Sequence, residues 1–411
     1  MAEEQQRRPQ LEVADIVRLH GDEFRRVYHP SAQQEAVLRH IAECRTAALG
    51  GHIDACPACG HQRISYNSCR DRHCPKCQAI ARADWLEARL ERLLPIPYFH
   101  VVFTIPDELN ALALGNKRLL FDLLFAAAAD TLKAIALDEK HLGAEIGFTA
   151  VLHTWGQAVL FHPHLHCVVT GGGLSSDGTR WVAGRENFFL PVKVLSKLFR
   201  GKFLDALQKA RTDDKLRFGG STTTLSDDAA WARFRDQLYR KDWVVYAKPP
   251  FGGPQQVYAY LGRYTHRVAI SNFRLVSLEN GRVTFTLKDY ADGEKRKTMT
   301  VSAVEFLRRF LLHVLPQGFT RIRHYGLYAG KNVASKLQHA RLLLERDGKR
   351  LPPIAKTTPG APWWQRLLER TGVDLMACPC CSGRLIRRRE IVPSTALPPI
   401  ARTYRIRLDS S

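Results

Sequence analysis

The sequence is poor in acidic residues and has no long apolar run. Its 411 residues include 61 Lys and Arg but only 40 Asp and Glu, so the formal net charge is +21. The longest apolar stretch, 119–137, contains Asp122, Asp130 and Lys133, which predicts a soluble helix and argues against a membrane span. The amino terminus lacks the apolar segment of a signal peptide. We therefore expect a cytoplasmic protein with no membrane partner and with a polyanionic partner, most simply nucleic acid.

The remaining composition is that of an ordinary globular protein, and no internal repeat is visible. Hydrophobic residues make up 45% of the chain and charged residues 25%, which excludes disordered and fibrous classes. Predicted strands and helices alternate without a strict β-α-β order, which favours an α+β fold with a largely antiparallel sheet. We divide the chain into a helical and zinc-binding domain (1–95), a central domain (96–330, with an insertion over 212–242) and a loosely organised basic appendage (331–411).

The amino-terminal domain contains two Cys-x-x-Cys motifs separated by fourteen residues. Their cysteines are Cys56, Cys59, Cys74 and Cys77. Two such turns can supply four thiolates to one tetrahedral Zn²⁺, and a closed site of this kind is structural because no coordination position is open to a substrate. Cys69 and His73 lie between the motifs and could replace a ligand or bind a second ion. Alternatively, they are spare residues of the same turn.

A third motif, Cys378-Pro-Cys-Cys381, has no partner pair downstream. It could be half of a metal site, a degenerate zinc ribbon, or a motif without a ligand. The sequence leaves these alternatives open.

The segment His162-Pro-His-Leu-His166 predicts a metal site on a strand. Residues i and i+2 of a strand face the same side, so His164 and His166 can hold one ion while Leu165 packs inward. A third ligand is needed, and His153, at the end of the preceding predicted strand, is the first candidate. Weaker candidates are His162, Gln157 and His266. A catalytic Mg²⁺ or Mn²⁺ is expected; Mg²⁺ prefers oxygen ligands, but imidazole is acceptable to manganese.

The segment Tyr260-Leu-Gly-Arg-Tyr264 places two tyrosines four residues apart, which on a helix puts both on one face. A tyrosine oxygen beside a metal-bound phosphodiester can displace the 3′ oxygen and form a 5′-phosphotyrosine. The energy of the bond is kept in that link, so rejoining needs no ATP. The simpler alternative is an aromatic pair that packs a helix on a sheet. Tyr258 is two residues away and is expected to face elsewhere.

Five basic residues near these motifs are candidates for contacts with DNA phosphates. Arg263 and Arg267 alternate with the tyrosines, and Arg70, Arg72 and Lys76 lie in the cysteine module. The competing interpretation of the second group is a solvated basic rim.

Together these motifs resemble the two-histidine (HUH) endonuclease superfamily and, within it, the rolling-circle transposases of the IS91 type. The match covers roughly residues 15–330. The features that carry it occur in the family's order: the cysteine module ending in Arg-His-Cys-Pro-Lys-Cys, the strand 99–106, the run His-Pro-His-Leu-His-Cys-Val-Val-Thr-Gly-Gly-Gly, and Tyr-Leu-Gly-Arg-Tyr-Thr-His-Arg-Val-Ala-Ile-Ser-Asn at 260–272.

The resemblance implies an RRM-like core, with the histidines on a central strand and the tyrosines on a helix packed against the sheet. It implies His164 and His166 as metal ligands and Tyr260 and Tyr264 as nucleophiles. The implied activity is nicking of single-stranded DNA at an element's ends and strand transfer to target DNA in a bacterial, nucleoid-associated setting. Two alternatives stay open: a replication initiator or relaxase, which rarely carries such a cysteine module, and a non-catalytic zinc-finger DNA-binding protein.

Overall fold

The computed structural model describes most of the chain. The described residues are 9–185, 190–248, 262, 269–289, 292–293, 295–351, 357–358, 360–381 and 383–394. The α-helices with described bounds are α1 (Val13–Tyr28), α2 (Ala32–Glu43), α3 (Ala79–Leu90), α4 (Asn110–Gly115), α5 (Lys117–Leu137), α6 (Val192–Thr212), α7 (Asp228–Arg240), α8 (Ala303–Leu312), α9 (Gln338–Arg346) and α10 (Trp363–Thr371). The strands are β1 (Gly51–Ala55), β2 (Gln62–Tyr66), β3 (Tyr98–Thr104), β4 (Ala144–Glu145), β5 (Gly147–Trp155), β6 (Phe161–Thr170), β7 (Gly172–Ser175), β8 (Trp181–Ala183), β9 (Val245–Lys248), β10 (Leu275–Glu279), β11 (Arg282–Asp289), β12 (Lys295–Ser302), β13 (Ile322–Gly326) and β14 (Ile386–Ile391).

The centre of the molecule is a five-stranded antiparallel sheet in the order β13-β5-β6-β3-β9. Side chains alternate between its faces, and one face is mostly apolar, with Phe103, Leu152 and Leu165 among its buried residues. Helices α5 and α6 cover this face and complete the main core. The opposite face of the central strand β6 carries the histidine motif. The α+β prediction with an antiparallel sheet is confirmed.

A second layer joins the amino terminus to the region after the sheet. Strands β10, β11 and β12 form an antiparallel sheet whose buried Phe285 packs against Phe306 of α8. Helices α1 and α2 close this second core. Helix α2 begins after Ser31, which forms a reciprocal capping box with Gln34.

The expected insertion over 212–242 contains a 3₁₀ turn (Gly220–Ser226) and α7. Trp231 and Leu238 of α7 are buried in the main core. This segment therefore contributes to the core of the central domain.

The carboxyl-terminal segment differs from the loosely organised appendage that we expected. Strand β14 pairs antiparallel with β1, so the small amino-terminal sheet has the order β14-β1-β2. Helix α10 lies against α3 through ion pairs from Arg366 and Arg370 to Asp84. The tail is basic in composition, but pairing and packing with distant residues order it. Within the described part of the chain, no helix is long and apolar enough to cross a membrane.

Candidate metal centres

Three histidines come together on the face of the central sheet opposite the main core. The register of β5 and β6 places His153 opposite His164 and Val151 opposite His166. One ring nitrogen from each histidine lies within 4.8 Å of the others. Leu165, between the two motif histidines, is fully buried on the other face, as the alternation of the strand predicts. The expected three residues therefore form one cluster.

Hydrogen bonds at the Nδ1 atoms orient two of these rings. Nδ1 of His164 lies 2.7 Å from the carbonyl oxygen of His162, and because a carbonyl only accepts, Nδ1 is the donor. His164 therefore presents an unprotonated Nε2 when the ring is neutral. Nδ1 of His166 lies 2.8 Å from Nε2 of His100, which is on the neighbouring strand β3. These contacts direct both Nε2 atoms of the motif toward each other.

The distance between those Nε2 atoms is 3.1 Å. Burial lowers the pKa of His164 to about 4, and burial and the neighbouring histidines lower the pKa of His166. Both rings are therefore neutral near pH 7. With Nδ1 of His166 as the donor to His100, Nε2 is unprotonated in both rings, and two unprotonated nitrogens this close repel each other unless a cation lies between them. An ion about 2.1 Å from each nitrogen would have an N–metal–N angle of roughly 95°. This angle suits adjacent ligands of an octahedral or distorted tetrahedral site. The residues fit a divalent cation.

Of the weaker candidates for the third ligand, His162 and Gln157 have other polar contacts. His162 is half-exposed, with Nδ1 3.4 Å from a carboxylate oxygen of Asp107. The side-chain oxygen of Gln157 accepts a hydrogen bond from the backbone of Lys288 at 3.4 Å. His266 lies outside the described residues. His100, which contacts His166, was missed by the sequence analysis because only the strand register shows that the two meet.

The predicted single cysteine site is incorrect in its grouping, since the structure divides the four cysteines between two clusters. The first cluster consists of Cys44, Cys69, Cys74 and Cys77. In it, Sγ of Cys77 lies 3.1 Å from Sγ of Cys44 and 3.5 Å from Sγ of Cys69. Hydrogen bonding from Cys44 lowers the pKa of Cys77, so this cluster favours a thiolate, the form that binds metal. Cys44, at the end of α2, was missed because it belongs to no Cys-x-x-Cys motif.

The second cluster joins the remaining pair to the third motif. It consists of Cys56, Cys59, Cys378 and Cys381. The third motif, Cys378-Pro-Cys-Cys381, therefore does have a partner pair. That pair is Cys56 and Cys59, which lie far upstream in the amino-terminal domain.

His73 does not join either cluster. Its Nδ1 lies 3.0 Å from a carboxylate oxygen of Asp71, and its Nε2 accepts a hydrogen bond from the backbone N–H of Leu315 at 3.2 Å. Burial lowers its pKa, which agrees with a neutral ring that accepts at Nε2. His73 therefore fastens the cysteine module to the central domain, whereas Cys69 is a cluster member.

The basic residues of the cysteine module have different surroundings. Arg72 donates to the carbonyl oxygen of Phe319 at 2.9 Å, and Lys76 forms an ion pair with Glu12. Both side chains therefore have partners within the protein, and their contact with DNA phosphates stays a prediction. Arg70 is exposed, with a left-handed backbone at φ 54°. It remains a candidate for DNA contact.

The tyrosine motif lies almost wholly outside the described residues, which exclude Tyr260, Tyr264, Arg263 and Arg267. Gly262, between the tyrosines, is described: it is helical and buried. A β-carbon built on it would lie 3.7 Å from the side chain of Leu86 in α3. Leu86 packs in the same cluster as Val168, which shares the sheet face of His164 and His166. Gly262 thus lies beside a helix that covers part of the histidine face.

Comparison with known proteins identifies two family models along the chain. Residues 16–105 match a "Transposase zinc-binding domain" of the IS91 type, and residues 147–336 match a model described as "Putative transposase". The first range contains the complete cluster of Cys44, Cys69, Cys74 and Cys77, which supports Zn²⁺ as a cofactor. The second contains the three histidines and the tyrosine motif.

Two curated relatives match over most of their length. The chain is 53% identical to "Putative transposase y4qJ" of Sinorhizobium fredii, over 94% of this chain and 97% of that protein. It is 28% identical to the "Transposase for insertion sequence element IS801" of Pseudomonas savastanoi pv. phaseolicola, over 86% of this chain and 82% of that protein. No solved structure matches the chain. DNA is the partner that transposition requires. The chain therefore belongs to the transposase family of the IS91 and IS801 type.

Proposed function

We propose that this transposase nicks single-stranded DNA at the ends of its element and transfers the strand to target DNA by rolling-circle transposition. The metal site is formed by His153, His164 and His166, and the nucleophiles are Tyr260 and Tyr264. The observation that carries the proposal is the three-histidine cluster, whose ring nitrogens lie within 4.8 Å of one another on the sheet face opposite the main core. An excess of basic residues, with a net charge of +21, favours binding of the DNA backbone.

The metal ion, Mg²⁺ or Mn²⁺, would polarise the phosphoryl oxygens of the scissile phosphodiester. A tyrosine hydroxyl loses its proton and its oxygen forms a bond to phosphorus. The bond between phosphorus and the 3′ oxygen breaks, and that oxygen takes up a proton to become a 3′-hydroxyl. The other DNA end remains as a 5′-phosphotyrosine. Transfer is the reverse reaction with a different 3′-hydroxyl, so the number of phosphodiester bonds is conserved and no nucleotide cofactor is needed.

Two features support the assignment of the tyrosines. They are four residues apart in the sequence, which is the spacing that puts two side chains on one face of a helix, and Gly262 between them is helical. Gly262 adjoins Leu86 on the side of the sheet that carries the histidines. In the sequence the motif follows β9, whose Lys248 is paired with His100 in the sheet.

The test uses single-stranded oligonucleotides from an element end, with Mg²⁺ or Mn²⁺ and a label at either the 3′ or the 5′ end. A 5′-phosphotyrosine attaches the protein to the downstream fragment. The 3′-labelled DNA should therefore appear as a protein adduct on a denaturing gel, and the 5′-labelled DNA as a free fragment with a 3′-hydroxyl.

Phenylalanine variants of the tyrosines identify the nucleophiles. We expect the Tyr260→Phe/Tyr264→Phe double variant to form no adduct, and the matched control Tyr258→Phe to form it at the wild-type level. Cleavage that survives in the double variant contradicts the tyrosine assignment. Adduct on the 5′-labelled fragment contradicts the proposed polarity, and absence of adduct with every end sequence favours a non-catalytic DNA-binding role.

A further inference from the structure

The second cysteine cluster is built from segments near the two ends of the chain. Cys56 and Cys59 lie in the turn between β1 and β2, and Cys378 and Cys381 lie in the turn that precedes β14. The Sγ atoms of Cys56 and Cys381 are 3.5 Å apart, and those of Cys59 and Cys378 are 3.6 Å apart. A tetrahedral Zn²⁺ with Zn–S bonds of about 2.3 Å separates its sulfurs by roughly 3.8 Å. The four thiols therefore have nearly the spacing of a loaded site.

The two turns share a backbone pattern. The N–H of Cys56 donates to the carbonyl of His61 at 2.9 Å, and the N–H of Cys378 donates to the carbonyl of Gly383 at 2.6 Å, five residues on in both cases. The N–H of Cys380 also points at Sγ of Cys378, at 3.4 Å. N–H groups directed at a sulfur stabilise its thiolate form. Both turns are thus folded as metal-binding knuckles.

The backbone at Gly383 leaves space for the sulfurs. A β-carbon at this position would lie 3.1 Å from Sγ of Cys56 and 3.3 Å from Sγ of Cys381. Any larger residue would press on two of the four thiols. Glycine permits this close approach of backbone to ligand atoms.

Contacts that involve no cysteine also hold the carboxyl-terminal segment in place. Five residue pairs connect β14 to β1, from Gly51 with Ile391 to Ala55 with Ile386. Arg366 and Arg370 reach Asp84 at 2.7 and 2.8 Å, and Arg63 donates to the carbonyl of Leu375. The convergence of the thiols is therefore a consequence of the fold of both segments.

We propose that Cys56, Cys59, Cys378 and Cys381 bind a second structural Zn²⁺, which cross-links the carboxyl-terminal segment to the amino-terminal domain. Four thiolates close the coordination sphere, so the ion has no catalytic position. Cys378 and Cys381 lie outside both ranges that match family models, 16–105 and 147–336. The site makes residues near 380 part of the amino-terminal zinc-binding unit, and its ion joins residues 319 positions apart in the sequence.

Zinc content tests this site directly. The full-length wild type and the variant Cys378→Ser/Cys381→Ser are purified under reducing conditions, and zinc per chain is measured by mass spectrometry of the element and of the intact native protein. The variant should contain one zinc ion fewer per chain than the wild type. Because the result is the difference in zinc per chain between wild type and variant, any zinc bound at the histidine cluster contributes equally to both and cancels. The matched control is Cys380→Ser, which changes the exposed cysteine between the two ligands and should leave zinc content unchanged.

One further measurement uses only the wild type, so it keeps the test decisive if the double variant folds poorly, and a second applies where the variant is folded. X-ray absorption of the wild-type protein should show four sulfur neighbours per cysteine-bound zinc, with two such ions per chain. Limited proteolysis should release the segment after residue 357 from the variant sooner than from the wild type. Equal zinc content in wild type and double variant, a single cysteine-bound zinc in the wild type, or disulfides among these four cysteines in reduced protein would each overturn the proposal.

Discussion

His100 is expected to act as a positioning residue for the metal site, and its replacement by phenylalanine tests how the site is oriented. Its Nε2 lies 2.8 Å from Nδ1 of His166, and the two rings are nearly parallel, with centroids 5.0 Å apart. Burial lowers the pKa of His100 to about 4, so near pH 7 the ring is neutral and can accept the proton of His166. That contact keeps the lone pair of His166 on Nε2, toward His164.

The size of the effect follows from the contact that is lost. Removing an outer partner of a ligating histidine typically costs 10–100-fold in metal affinity. This corresponds to about 1.4–2.7 kcal/mol, which matches the cost of leaving one buried N–H without an acceptor, about 1–3 kcal/mol. We therefore expect His100→Phe to weaken Mn²⁺ binding 10–100-fold. In His100→Gln the side-chain oxygen can replace Nε2 as acceptor, so most of the affinity should return.

The assay is titration of the protein with Mn²⁺, with free ion measured by electron paramagnetic resonance. His324 provides a matched control, because it lies on the same sheet face but bonds to Thr149 at 2.9 Å. His324→Phe should bind Mn²⁺ like the wild type, and zinc content should be equal in all variants. Unchanged affinity in His100→Phe refutes the positioning role. Equal losses in His100→Phe and His100→Gln would show that the hydrogen bond is not the cause.

Three other changes test the site and the fold. His164→Ala should abolish metal-dependent cleavage and leave zinc bound at the cysteines, as measured by gel assay and elemental analysis; loss of cysteine-bound zinc would mean that the two kinds of site are coupled. Burial lowers the pKa of His313 to about 3, below the usual 6.5, so its stabilising contribution is present above pH 6.5 and is lost as the pH falls toward 3. Urea unfolding at pH 7 and 5.5 should therefore show a loss about 1 kcal/mol smaller in His313→Gln than in the wild type, and equal losses would contradict a buried neutral ring. Gly326 has φ +57°, and a β-carbon there would lie 1.8 Å from the carbonyl oxygen of Ile146. Gly326→Ala should destabilise the protein by about 2 kcal/mol or more, whereas Gly348→Ala, with φ +76° and open space, should cost only about 1 kcal/mol; equal costs would show that the clash is relieved.

Local patterns in the sequence were sufficient to predict the α+β fold class and part of the histidine metal site. The strand period of two placed His164 and His166 on one face with Leu165 inward, and the structure has this arrangement. The order of motifs also indicated the family. The first result depends only on residues close together in the chain, where backbone geometry fixes which side chains share a face, and the second depends on motifs that are each short.

Partners from distant parts of the chain were decided by tertiary structure. A Cys-x-x-Cys turn brings two thiolates together, but only the packing of α2 and the pairing of β14 with β1 determine that Cys44 and Cys378 complete two separate clusters. The register of β3 with β6 likewise brings His100 to His166, and docking of the cysteine module engages Arg72 with Phe319. Sequence motifs alone identified most of the groups that could bind metal, and the fold decided which groups meet. Ligation requires atoms within a few ångströms, and the spacing of residues in the chain does not set distances between separate elements.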